Sequence, residues 1–429
     1  MSTKTGYIQV MRAMASPEEV KIPDSNCKPV HLWTVVRHGT RYPSKQAIKL
    51  MNEDLVKMKI KILESVKEGS SFLCEEDVEE LNIWKPDVNE EQAKMLHPEG
   101  EEELVLLGER WLMRLEELLQ SYEEDMFKLR STNTQRSQQS GHSFTTGLWT
   151  RLVGRKVKWE EPELPHDPII RFYKLCDKWK REVKKNPDSM KERRLFEESQ
   201  VMKDLRLNMT SILGLGTTSP LTMSDLDMMY VMCNFDLAWQ PSKHSIWCYM
   251  FPTLGLQLME YREDLEYYWV DGPGYPVTGQ QACVLAKDMM DTFRNISLGL
   301  VNTRGSFYFT HSGTILKLLT FLKIGHDNST LRSDNVFEMG ERQWRTSVLG
   351  PFGANIAFVL QRCEEEEGEV WRVGLWINEV LTMIPGCGEM WCEMGDFLKA
   401  FPEIDNCDFD TICRNSDSGE QIDLPDDKY

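Results

Sequence analysis

Residues 37–41, Arg-His-Gly-Thr-Arg, set one imidazole between two guanidinium groups. Charges this close repel one another unless an anion lies between them. Guanidinium forks match phosphate oxygens in bidentate geometry, and a neutral imidazole can attack phosphorus. The chemistry open to this stretch is to hold a phosphoryl group or to accept it on His38. Two more residues fit the same task. Arg136 lies in the polar stretch "STNTQRSQQSGHSF" (131–144), and His311 follows the aromatic run "GSFYFT" (305–310). Arg37, His38, Arg41, Arg136 and His311 brought together would enclose one tetrahedral anion, the arginines neutralising its oxygens during transfer. Gly39 would let the backbone approach that anion closely.

The surrounding elements must deliver these side chains to one place. "HLWTVV" (31–36) is a short, β-branched apolar run, hence a buried strand with His38 at its carboxyl end. The 305–310 run ends in the same way at His311. Ligands of open α/β sheets bind outside the carboxyl ends of strands, where helix amino termini also point. Residues 44–69 read as a helix stopped by Gly69, 97–124 as an amphipathic helix, and 126–149 as strand, turn and helix. Residues 355–363 and 369–379 alternate as strands, with an acidic hairpin tip between them. From 150 to 261 the chain is charge-rich, Met-rich and helical. The expected fold is α/β: a large domain with a central mixed sheet flanked by helices (28–149 and 262–400) and an inserted, mainly α-helical domain (150–261). Residues 1–27 read as a loose lead-in and 401–429 as a carboxyl-terminal tail, its last fifteen residues of disordered composition.

The chain has 429 residues, 41% of them hydrophobic and 28% charged, with a net charge of −18. A polyanion would need a locally basic pocket against that field, which argues against nucleic-acid binding. No apolar run reaches the roughly 18 residues of a membrane span. The 11 cysteines include no C-x-x-C pair, which argues against structural zinc. The spacings Cys233/Cys248 and Cys387/Cys392 suit disulfides, and an odd count leaves at least one cysteine over. Sequons at Asn208, Asn295 and Asn328 also point to the secretory pathway, extracellular or in the endoplasmic reticulum lumen. Residues 1–26 lack the apolar core of a signal peptide, so a leader is expected to be missing from this sequence; a cytoplasmic chain is the second option. No His/Asp/Glu pair has metal-ligand spacing, and no cofactor is expected. His97 and His166 read as loop residues and His244 as part of a bridged loop. His142 reads as surface or support behind Arg136, while His31 and His326 have no evident partner.

"RHGTRYP" resembles the signature of the histidine acid phosphatases, branch two of the histidine phosphatase superfamily. "STNTQRSQQSGHSFTTGLW" is similar to the family's second phosphate-binding segment, and "FYFTHSGT" to the segment of its second catalytic histidine. Three stretches, "CNFDLAWQPSKHSIWC", "MEYREDLEYYWVDGPGY" and "PFGANIAFVLQRC", resemble the multiple inositol polyphosphate phosphatases, a phytase-like subfamily. The resemblance spans residues 27–400 and implies a large α/β domain with an inserted α domain. It implies His38 as nucleophile, with Arg37, Arg41, Arg136 and His311 holding the phosphoryl group. It also implies Lys45 near the substrate's other phosphates and a disulfide from Cys27, with Cys363 the expected partner. A basic rim of Lys45, Lys49, Arg151 and Arg155 would suit inositol polyphosphates.

One departure matters. Many members follow the second histidine with an acid, as "HD" or "HAE", to protonate the leaving alkoxide. Here the stretch is His311-Ser312-Gly313-Thr314. General acid help contributes about 10²–10⁴-fold. An acid elsewhere could reach in, water could serve, or the chain could be a slow or purely binding member. The expected activity is hydrolysis of inositol polyphosphate monoesters through a phosphohistidine. A broad secreted acid phosphatase and a phosphate-binding pseudoenzyme are the alternatives.

Overall fold

Alternation along β1 (Cys27–Arg37) divides its side chains between two cores. Leu32 and Val36 enter one, Trp33 and Val35 the other. The computed structural model describes residues 2–13, 26–149, 157–216, 220–366 and 368–414. Among them the sheet has seven strands: β1, β2 (Phe127–Ser131), β3 (Gly305–Thr310), β4 (Asn355–Glu365), β5 (Gly368–Ile377), β6 (Val380–Thr382) and β7 (Trp391–Glu393). Their order is β2-β3-β1-β4-β5-β6, with β7 beside β5. β1, β2 and β3 run parallel, and the rest join antiparallel, so the sheet is mixed as expected.

Two helices cover the Leu32/Val36 face. Pro98–Arg114 contributes Leu104, Leu107 and Trp111, and Gln135–Leu148 contributes Phe144 and Leu148. They pack closely because Gly108 and Gly147 lack side chains: a Cβ on Gly147 would lie 2.0 Å from the Val105 carbonyl oxygen. The opposite face meets Ser312–Phe321 and Cys283–Ser297. Helices of the 157–270 stretch share this second core: Met202, Leu226 and Met259 belong to the same buried cluster as Trp33 and Phe358. Among the described residues no helix is long and apolar enough to cross a membrane.

Several expectations need correction. The helix over 44–69 contains a π-helical turn, Met51–Leu55, between Lys45–Leu50 and Val56–Lys67; Gly69 stops it at φ +70°. The lead-in is not loose where it is described. Residues 2–6 are buried, Tyr7–Ala13 is a helix, and Tyr7 Oη donates to Glu379 at 2.9 Å. Nor is 401–414 a tail. Phe409–Cys413 is helical, and disulfides Cys283–Cys407 and Cys176–Cys413 fasten this segment to the body. The last fifteen residues, expected to be disordered, lie outside the described residues. Cys27–Cys363, Cys233–Cys248 and Cys387–Cys392 pair as anticipated, leaving Cys74 as the free thiol. Five disulfides fit a chain that matures in the oxidising secretory pathway.

Candidate active site

The parallel register of β1 and β3 ends at Arg37↔Thr310. His38 and His311, the next residue on each chain segment, therefore emerge side by side, and His38 N–H donates to the Thr310 carbonyl at 3.0 Å. Their ring centroids are 5.5 Å apart, edge to face. β2 lies parallel on the far side of β3 and feeds the helix Gln135–Leu148, whose first turn presents Arg136. Arg136 Nη2 donates to His311 Nδ1 at 3.4 Å. Arg37, His38, Arg136 and His311 thus meet at the carboxyl edge of the parallel strands, all buried. Arg37 and Arg41 both lie over the Phe352 ring, at 4.5 and 6.0 Å, which supports two cations on one apolar face. Arg37 Nη1 also donates to the carbonyls of Thr3 and, at 2.6 Å, Gly350.

The hydrogen bonds settle the tautomers. His38 Nδ1 contacts the Gly39 carbonyl at 2.9 Å. A carbonyl only accepts, so Nδ1 carries the proton and Nε2 keeps its lone pair. Burial, then the charges of Arg136, Arg37, His311 and Arg41, hold His38 well below the ordinary imidazole range. It is a neutral imidazole in a cationic surrounding. An arginine only donates, so His311 Nδ1 accepts and its Nε2–H donates to Thr132 Oγ1 at 3.1 Å. Burial and then Arg136, Arg171, Arg37 and Lys174 depress His311 likewise.

Glu103 holds the loop from below. It accepts from Thr40 N at 2.8 Å, Thr40 Oγ1 at 3.0 Å and Tyr7 N at 2.8 Å. Gly39 serves a different end from the one expected. A Cβ there would lie 2.3 Å from the Gly100 carbonyl oxygen, so the missing side chain admits the helix Pro98–Arg114 against the loop. Gly39 N–H donates to Ser140 Oγ at 3.0 Å.

Arg37 and Arg41 line a cleft. Of the expected basic rim, Lys45 stands exposed at the start of its helix and Lys49 exposed in its last turn, neither among the lining residues; Arg151 and Arg155 lie outside the described residues. The lining cations are instead Lys4, Lys174, Lys184, Arg193 and Arg262. The sequence signal for three of them was the charge-rich "KLCDKWKREVKKNPDSMKERR", but no spacing tied it to Arg-His-Gly. Nothing in the sequence pointed to Lys4. The remaining histidines do other work. His31 is bonded to Thr303 O and Ser306 Oγ, His97 caps a helix, His142 packs on Trp159, and His244 bonds Tyr249.

A family model, "Histidine phosphatase superfamily (branch 2)", matches residues 30–375. This chain belongs to that family. Multiple inositol polyphosphate phosphatase 1 of Drosophila melanogaster is 28% identical over 418 residues, covering 95% of this chain and 85% of the relative. Among solved structures, the multiple inositol polyphosphate phosphatase of Bifidobacterium longum in complex with inositol hexasulfate superposes with TM-score 0.66 and 15% identity, covering 93% of this chain and 96% of that one. The D. castellii phytase gives TM-score 0.70 at 14% identity, with 92% and 84% covered. These likenesses show the α/β histidine phosphatase fold for this branch-2 member.

Proposed function

We propose that the chain hydrolyses phosphomonoesters of inositol polyphosphates through a phosphohistidine at His38. One observation carries the reading: a neutral, buried His38 with its Nε2 lone pair available is flanked in the chain by Arg37 and Arg41, and both of these line a cleft rich in cations, in a chain of net charge −18. His38 Nε2 attacks phosphorus as the ester P–O bond breaks and the alkoxide takes a proton. Water then attacks the phosphohistidine and releases inorganic phosphate. Arg37, Arg41 and Arg136 neutralise the three transferring oxygens, and His311 orients Arg136. Lys4, Lys174, Lys184, Arg193 and Arg262 meet the phosphates that are not being cleaved, which is what a polyphosphate needs and a simple monoester does not. The names of the Drosophila relative and of the Bifidobacterium protein, solved with inositol hexasulfate, support this substrate class.

The division of the chain follows the same logic. On this reading residues 28–149 and 262–400 make up the phosphatase domain and 150–261 the insertion, whose described residues supply Lys174, Lys184 and Arg193 to the cleft. The workplace is the secretory lumen or the outside of the cell, on the strength of the disulfides and sequons. The test is phosphate release from inositol hexakisphosphate between about pH 3 and 8 with chelator present. Release should survive the chelator and fall to background in His38→Ala. Undiminished release by that variant would sink the phosphohistidine route.

A further inference from the structure

The reaction at His38 leaves one atom unassigned: the proton taken by the departing alkoxide. Ser312 and Gly313, which follow His311, are not acids. Among the described residues four carboxylates line the cleft, and each is held by a cation. Glu263 pairs with Lys4 at 2.9 Å and Asp227 with Arg262 at 2.8 Å. Glu266 pairs with Arg193, and Asp271 with Lys317. In each pair the carboxylate oxygen accepts from its cation.

Tyr173 is a phenol rather than a carboxylate. It lines the same cleft as Arg37, Arg41, Ser312 and Gly313. A Cβ on Gly313 would lie 3.3 Å from Tyr173 Cζ and 3.6 Å from its hydroxyl oxygen. The phenol therefore stands where a side chain two residues beyond His311 would project. Its ring is fixed on both sides. Trp179 packs edge-on at 5.7 Å between centroids, and Lys317 Nζ lies 4.7 Å from the ring centre. Phenols belong to the general-acid repertoire, and unlike carboxylic acids they keep their proton through the whole neutral range.

We infer that Tyr173 is the proton donor to the leaving group. As the His38 Nε2–P bond forms and the ester P–O bond breaks, Tyr173 O–H passes its proton to the ester oxygen, and the alcohol departs. The phenolate then takes a proton from the water that attacks the phosphohistidine. Tyr173 is restored, and inorganic phosphate leaves. This assignment rests on the phospho-His38 chemistry and not on the preference for inositol phosphates.

The experiment compares wild type with Tyr173→Phe, which keeps the ring and its packing on Trp179 and Lys317. It reads kcat/KM, which stops at the phosphorylation step, on glycerol phosphate and on 4-nitrophenyl phosphate. The alkyl ester needs a proton to leave; nitrophenolate does not. The expected result is a loss of about 10²–10⁴-fold on the alkyl ester and near-wild-type turnover of the aryl ester, which also certifies the fold. An equal loss on both substrates, or on neither, overturns the assignment. So does a selective alkyl loss in Asp271→Asn with Tyr173→Phe unaffected. His38→Ala in the same assay separates this from the nucleophile reading, which fails alone if that variant still turns over either ester.

Discussion

Arg37 and Thr310 face each other in the last pair of the β1–β3 register, and this one pairing sets His38 beside His311. Each histidine follows directly on its strand end, so the strands place both rings at one edge and leave only the side-chain rotamers to choose. The other partners are then recruited from outside: Arg136 from a helix, Thr3 and Gly350 as carbonyl props for Arg37.

Those props make Arg37 sensitive to shape as well as charge. Arg37→Lys keeps the cation but cannot span two carbonyls and a phosphate oxygen at once. Its kcat/KM toward any phosphomonoester should fall about 10²-fold, in line with loss of one oriented donor to the transferring group. A rate within a few-fold of wild type would show that charge alone suffices.

The contact of Gly39 with Gly100 should be intolerant from either side. A Cβ on Gly100 would lie 2.1 Å from the Thr40 carbonyl oxygen, mirroring the clash from Gly39. Gly39→Ala and Gly100→Ala should each cost about 1–3 kcal/mol, the usual range for overpacking, and should depress activity because the loop must shift. Urea unfolding with a parallel rate assay checks both. Unchanged stability in either variant would mean that the helix can retreat without cost.

Buried His31 sets an acid-side weakness. Its Nδ1 donates to Thr303 O at 2.8 Å and its Nε2 accepts from Ser306 Oγ at 3.1 Å. Burial pulls the ring down to about 4 from an ordinary 6.5. The unfolded chain therefore binds a proton that the folded chain refuses, and stability drains away as pH falls from 6.5 toward 4. The loss is on the order of 3 kcal/mol. His31→Gln should be less stable at neutral pH but should lack this component, as unfolding midpoints at pH 7 and 4.5 would reveal. An unchanged pH slope would show that His31 is not its source.

Glu103 works in the opposite direction. Burial raises its carboxyl to about 7, against the pull of the Thr40 and Tyr7 hydrogen bonds. Here the folded chain holds a proton that the unfolded chain releases. The contribution is full below about 4.5 and is lost as pH rises through 7. Over the shared window the two contributions have opposite signs, so removing either should tilt the wild-type profile in a defined direction. Glu103→Gln should therefore give a stability slope with rising pH more positive than that of wild type across 4.5–6.5. A slope equal to wild type's in that variant would show that Glu103 does not contribute there.

The sequence revealed the strand-borne half of the site and missed the half built by packing. His38, His311, Arg136 and the mixed sheet were legible because strand ends, helix starts and a specific motif each leave a local mark. Lys45 is exposed and lies outside the residues lining the Arg37/Arg41 cleft. Its nearness to Arg41 in the chain says nothing about which way the helix turns, and the helix turns it to solvent. Lys4, Lys174 and Tyr173 were not legible because their arrival depends on long-range contacts: Lys4 with Glu263, Tyr173 with Lys317. Cys176–Cys413 was equally hidden, since wide spacing cannot identify a pair among eleven cysteines.

The strand order also governs when this protein can begin to act. β1 lies near the middle of the sheet, and both its neighbours, β3 and β4, come from the last third of the chain. At about 5–20 residues per second of synthesis, the motif-bearing strand waits on the order of tens of seconds for its partners. Until then Arg37 lacks its Gly350 carbonyl and His38 its neighbour. Incomplete chains should therefore be chemically silent, and an intact rate assay reports only on polypeptides that were finished.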